Sequence, residues 1–155
     1  MDKKEMIEKI APCSLMCYTC EAYEQGIICS SARTLAKYME GMKQYHEQHD
    51  PELVENYKIF EERLMRCCHG PCSGCRNGGN NFCSIKGCRI LDCTKQHGVD
   101  FCGECNEFPC KQPLEYFEKE VYDQWLNGNQ RIKDIGVEAF WIEKSNISHF
   151  NAYIK

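Results

Sequence analysis

Long apolar runs are missing from this chain. No stretch approaches the roughly 18 apolar residues that a membrane-spanning helix needs. The start, Met1 to Cys13, is charged at Asp2, Lys3, Lys4 and Glu5 but has no apolar h-region, so a secretory signal is not expected. The expected setting is therefore the cytoplasm, where thiols stay reduced. Low-complexity tracts are missing as well, and no segment shows the period-two alternation of a half-buried strand. Positive charge is not concentrated anywhere: the formal net charge is −4. Arg76, Lys86, Arg89 and Lys95 are matched by Asp92, Asp100, Glu104 and Glu107. A phosphate backbone would find little to hold, which argues against nucleic acid as the partner. Catalytic motifs are missing too. There is no P-loop, no G-x-G-x-x-G, no G-x-S-x-G and no H-E-x-x-H. The five histidines, His46, His49, His69, His97 and His149, are scattered. His46 and His49 read as a solvated helix end and His97 as a loop residue, and an enzymatic role is not expected.

What the chain has is cysteine, 14 in 155 residues. Eight of them, Cys72, Cys75, Cys83, Cys88, Cys93, Cys102, Cys105 and Cys110, crowd into one run. Glycine and asparagine fill the gaps, and apolar residues look too sparse there to build a core. Cys13, Cys17 and Cys20 form a further C-x3-C-x2-C cluster near the start. A tetrahedral zinc needs four soft ligands, and a C-x2-C turn supplies two corners. There are three such pairs: Cys17/Cys20, Cys72/Cys75 and Cys102/Cys105. The expected metal ligands are thus Cys13, Cys17, Cys20, Cys72, Cys75, Cys83, Cys88, Cys93, Cys102, Cys105 and Cys110, and the expected metal is zinc. An iron–sulfur cluster is the alternative, since thiolates hold it equally well. Spacing does not decide which thiols share an ion. A sequential split groups Cys72, Cys75, Cys83 and Cys88 apart from Cys93, Cys102, Cys105 and Cys110, and a crossed arrangement is open. The N-terminal three need a fourth ligand, for which Cys29, Cys67, Cys68 and His69 are candidates.

Around the cysteines the pattern is helical. Met6, Ile7 and Ile10 share one side of a short helix that Pro12 ends. Leu35, Met39, Met42 and Tyr45 suggest a helix over 31–47 capped by Ser30 or Ser31. Asp50-Pro51 restarts the chain, and Leu53, Tyr57, Phe60 and Leu64 make a stripe through Arg66 that should pack on the previous helix. After Cys110, Leu114, Phe117, Val121 and Trp125 mark a third helix. Asn127-Gly128-Asn129 reads as a turn, and a shorter fourth helix follows with Ile132 and Ile135 buried; Gly136 is expected to interrupt it, with Val137, Phe140 and Trp141 continuing the apolar surface. The expected fold is mainly α. Two helical pairs flank an irregular, metal-stabilised cysteine-rich loop region with short hairpins at the knuckles. One domain spans 1–155, divided into a cysteine cluster (1–29), a helical hairpin (30–66), the metal region (67–110) and C-terminal helices (111–155).

The stretches IAPCSLMCYTCEAY (Ile10 to Tyr23) and CSGC followed by CSIKGCRILDCTKQHGVDFCGECNEFPC resemble the two signatures of the cysteine-rich domain-of-unknown-function family numbered 3795. The resemblance carries over to the same eleven cysteines and to Pro109, and RIKDIGVEAF resembles a weaker helical signature beyond them. Ser14 departs from it, standing where the family usually has glycine. Cys29, Cys67 and Cys68 lie outside it and read as bystanders. The family brings no activity. It implies metal binding, most simply by a non-catalytic module that meets a protein partner or small ligand.

Overall fold

The computed structural model describes residues 1–79, 83, 85–151 and 154. Asn80, Asn81, Phe82 and Ser84 of the cysteine-rich run lie outside the described residues, as do three residues at the C-terminus. The described chain is mainly helical, with six α-helices. Among the described residues β-structure is confined to one isolated parallel bridge, Tyr23 with Cys72. The hairpins expected at the knuckles are not there. Two of the C-x2-C segments instead close as tight 3-10 turns, with Cys20 N donating to Cys17 O (2.9 Å) and Cys105 N to Cys102 O (3.0 Å), while at Cys72/Cys75 the 3-10 turn begins only at Cys75.

Helix α1 (Lys3–Glu8) is short but well capped. Asp2 accepts from Glu5 N at 2.8 Å while Glu5 accepts from Asp2 N at 2.9 Å, a reciprocal pair that satisfies two terminal donors. Met6 and Ile7 pack, as expected, on the core around Ile10, Met16, Phe101, Ile132, Val137, Phe140 and Trp141.

The segment expected as one helix over 31–47 is two: α2 (Ile27–Tyr38) and α3 (Met42–His49). Gly41 separates them at φ 83°, a left-handed conformation that glycine adopts without steric cost. Gly26, not a serine, is the N-cap of α2. Helix α4 (Val54–Cys68) follows a 3-10 turn at Pro51–Leu53. It packs antiparallel to α2: Arg33 in the middle of α2 donates to Cys68 O at the end of α4 (3.0 Å), and Tyr57 near the start of α4 donates to Met39 O just past the end of α2 (3.2 Å). The pairing is as expected, but its core is thinner. Small residues, Cys29 and Ala32, are buried in α2, whereas Leu53 and Phe60 of the expected stripe stay 45% exposed.

The cysteine-rich run is not featureless. Helix α5 (Ile90–His97) runs through it, stopped by Gly98 at φ 66°. Ile90 and Phe108 are buried with Ala11, Cys13, Cys102, Phe117 and Trp125 in a second core, and Phe101 is buried in the first. Burial therefore does contribute here, contrary to the reading that apolar residues were too sparse.

The C-terminal elements differ most from expectation. After a 3-10 turn at Gln112–Glu115, α6 spans Lys119–Lys144 without a turn at Asn127–Asn129. Its break falls at Gly136 (φ 78°, ψ 163°). Arg131 and Glu143 flank the break and form an ion pair, with Nε donating at 3.0 Å. Twelve residues of straight helix would hold them about 18 Å apart, so the axis must turn at Gly136. Asn127-Gly128-Asn129 serves packing instead. A Cβ on Gly128 would lie 2.3 Å from Ser14 Oγ, and a Cβ on Gly103 would lie 2.2 Å from Asn129 O. The helix is pared down where two cysteine turns press on it.

Ser14 sits at φ 67°, and its buried hydroxyl has no partner. Both features cost stability: a left-handed non-glycine residue by roughly 1–2 kcal/mol, and an orphaned hydroxyl by about 1 kcal/mol or more. Ser14→Gly is expected to raise the midpoint of thermal unfolding, by an amount equivalent to about 1 kcal/mol after the small void it leaves. Calorimetry of the two chains checks this.

Candidate metal centres

The N-terminal cysteines sit on a hook. Ser14 N donates to Ala11 O (2.8 Å) and Ala11 N to Leu15 O (2.9 Å), folding Cys13 back beside Cys17. The hook is tied to the rest at two points. Cys102 N donates to Pro12 O at 3.1 Å. Around the Tyr23–Cys72 bridge, Glu24 N donates to Cys72 O and Cys72 N to Ala22 O, both at 2.9 Å. Arg76 reinforces the joint. Its guanidinium donates to Ile7 O (3.0 Å) and Asp100 O (2.6 Å) and lies over the Phe101 ring.

This framework sorts the eleven predicted thiols into two groups. Cys13 feels Cys75, Cys17 and Cys88; Cys17 feels Cys75, Cys20 and Cys72; Cys20 feels Cys72 and Cys83. Cys75 in turn feels Cys88, Cys83 and Cys72. The first group is thus Cys13, Cys17, Cys20, Cys72, Cys75, Cys83 and Cys88. The second is Cys93, Cys102, Cys105 and Cys110, within electrostatic reach of one another and lining one cavity of about 580 Å³. Cys72, Cys75, Cys83 and Cys88 thus stand apart from Cys93, Cys102, Cys105 and Cys110, and the N-terminal three neighbour the former. The thiols that bear most on the hook are those of the knuckle run, not the four distant candidates. Cys29 has Cys67 and Cys68 as its thiol neighbours, and His69 is exposed.

Among the described residues, no group of three or more His, Cys, Asp or Glu is set to hold a metal ion as it stands. The thiols of neither group are drawn to one point. All fourteen cysteines are free.

The electrostatics of the two sites are alike. Burial is the main influence, and it pushes Cys13 well above the ordinary thiol value of 9.0, Cys17 and Cys102 to about 12, and Cys75 to about 11. Cys20, Cys88 and Cys93 move the same way for the same reason. Against burial stands a set of donors aimed at sulfur. The amide two residues on faces Cys13 (Leu15), Cys20 (Ala22) and Cys88 (Ile90), each favouring the thiolate. Gly74 N meets Cys72 Sγ at 3.4 Å, and Glu107 N meets Cys105 Sγ at 3.5 Å. Donors placed this way suit a negative sulfur, which low-dielectric surroundings alone would not permit.

Two further donors fit the same pattern, and sequence reading had assigned neither to the site. Trp125 is fully buried, and its indole Nε1 makes no hydrogen bond within ordinary limits. It nonetheless stands close enough to Cys102 to favour the thiolate. The Tyr116 hydroxyl is also buried without a partner, and its neighbours are Cys88, Cys102, Cys110 and Cys93. It stands between the two groups. A buried hydroxyl with no acceptor is costly, and a metal-bound thiolate would supply one. Tyr116→Phe is therefore expected to stabilise the metal-free chain by about 1 kcal/mol and to weaken metal binding by about tenfold. Denaturant unfolding in chelator and competitive zinc titration measure the two effects.

Over residues 9–115 the chain matches the family described as "Protein of unknown function (DUF3795)". No curated protein and no solved structure matches it.

Proposed function

The chain belongs to the DUF3795 family, whose function is unknown, and on that footing we propose that it is a zinc-binding protein. Its two thiol groups hold structural zinc within a helical scaffold, and its role is non-catalytic, presenting a surface to a protein partner. One observation carries the reading. Every predicted ligand falls into one of two groups, and the buried sulfurs face backbone amides, an indole and a phenol. Thiols packed only as small apolar side chains have no need of those donors. A dication would turn each group into thiolates that the donors then satisfy.

Zinc bound by four thiolates leaves no coordination position for a substrate water, which is why the reading is structural. The free thiols fit a reducing compartment, and a cytoplasmic location is part of the proposal. Anaerobic purification followed by metal analysis tests it. A colourless chain with stoichiometric zinc is the expected result. A brown chain whose visible absorbance bleaches on reduction would replace zinc with an iron–sulfur cluster. A chain carrying no stoichiometric metal, with stability unchanged by chelators, would overturn the metal reading altogether.

A further inference from the structure

The first group has seven thiols, and seven is an awkward number. One tetrahedral ion takes four and would leave three idle, while two separate ions would need eight. We propose that this group holds two metal ions sharing the thiolate of Cys75, an inference that rests on the metal-binding reading above.

The geometry of the two knuckles sets one ion. Cys17/Cys20 and Cys72/Cys75 are brought face to face by the Tyr23–Cys72 bridge, which joins the residue three past one knuckle to the first residue of the other. The Cys75 amide is directed at Cys17 sulfur. Cys17, Cys20, Cys72 and Cys75 are therefore the four assigned to one ion, which on binding would draw their sulfurs together. Cys13, Cys83 and Cys88 remain. They lack a fourth corner, and Cys75 is the thiol that all three have as an electrostatic neighbour. Cys13 approaches from the hook, while Cys88 comes from the residues leading into α5 and carries the Ile90 amide on its sulfur. Cys75 lies between the two sets and packs on the core that contains Cys13.

Charge favours sharing. Two ions on seven thiolates carry one negative charge fewer than two separate four-thiolate sites would. Arg76, next in sequence to Cys75 and with a side chain only 13% exposed, is fixed by its bonds to Ile7 O and Asp100 O. Its guanidinium offsets part of the excess at the thiolate that touches both ions.

The full chain loaded with a spin-active cadmium isotope distinguishes the possibilities. Bridged ions are expected to give three cadmium per chain and three resonances. Two of these should be split by cadmium–cadmium coupling through the shared sulfur, and the third, from the second group, should be single. Cys88→Ser should remove one cadmium and the coupling while leaving the knuckle ion and the second-group ion. Because that variant spares both knuckles, it keeps the test readable if Cys75→Ser fails to fold. Two cadmium per chain without coupling, three uncoupled resonances, or coupling that survives Cys88→Ser would overturn the bridge and leave the metal-binding reading standing. A chain that binds no stoichiometric cadmium would overturn both.

Discussion

Stringent chelation of the metal-loaded chain is expected to lower its thermal midpoint sharply and to weaken the near-ultraviolet signal of Trp125, with zinc restoring both. The reason lies in where the thiols sit. Cys13 and Cys102 belong to the same buried core as Ile90, Phe108, Phe117 and Trp125. The proposed ion sites and the hydrophobic core therefore share residues, and removing a bound ion would leave neutral thiols, without their ligand bonds, at the centre of that core. Structural zinc in small zinc-dependent peptides is worth roughly 10–16 kcal/mol in apparent binding free energy. Whole domains are stable by only about 5–15 kcal/mol. Losing the ions would thus remove a large part of the margin and leave a metal-free fold of low stability. The α2–α4 pair makes no use of these eleven thiols, so part of the far-ultraviolet helical signal should outlast the near-ultraviolet one. Unchanged calorimetry after chelation would sink the claim.

The same thiols give opposite pH trends in the two forms. In the metal-free fold, burial holds Cys17 and Cys102 near about 12 and Cys75 near about 11, against an ordinary 9.0. Between pH 9 and those values the unfolded chain releases protons that the fold retains. The metal-free form is therefore most stable below pH 9 and loses stability as pH rises through that window. Metal binding runs the other way. Each captured thiol gives up its proton, so affinity falls as the solution is made acidic, with about four protons released per fully thiolate-bound ion. Denaturant unfolding across pH, with and without zinc, should show the two curves diverging on the alkaline side.

Much of the site was readable in the spacing of the cysteines, because a C-x2-C turn is a local object. Their grouping was not. It depends on pairing Tyr23 with Cys72, which no local pattern announces. The helices divide in the same way. Asp50-Pro51 marked a restart because the proline acts on its own neighbours. Asn127-Gly128-Asn129 was misread because turn propensity is local while its use is tertiary. Asn129 is fully buried, its Oδ1 accepting from Gly103 N (2.9 Å) and its Nδ2 donating to Trp125 O (3.0 Å). Helix α5 hid among cysteines and glycines, although Ile90 and Thr94 bury one face of it at helical spacing. The stripes in the N-terminal pair misled in the other direction: Leu35, Leu53 and Phe60 repeat as a core face does but remain nearly half exposed.

The contact that the sequence disguised as a turn supports the sharpest mutational expectation. Gly103→Ala is expected to destabilise the chain by about 3 kcal/mol and to cost it the second-group metal while sparing the first. The added Cβ would stand 2.2 Å from Asn129 O and 2.9 Å from its carbonyl carbon. Both are helix backbone, which cannot step aside as a side-chain tip can. Either the Cys102–Cys105 turn must lift from α6 or the helix must bend. Overpacking of this kind costs about 1–3 kcal/mol. Lifting the turn also breaks the Gly103–Asn129 bond and leaves a buried amide oxygen unpaired, a further 1–3 kcal/mol or so. Cys102 would move away from the Trp125 indole, and Cys105 would turn with it. The first group stands to lose the Cys102–Pro12 tie of its hook but keeps the Tyr23–Cys72 bridge and the hook's own bonds, none of which involves Gly103. Metal counting on the purified variant, beside its unfolding curve, should therefore show the loss confined to one site. Uniform loss from both groups, or none from either, would mean that α6 does not position the second one.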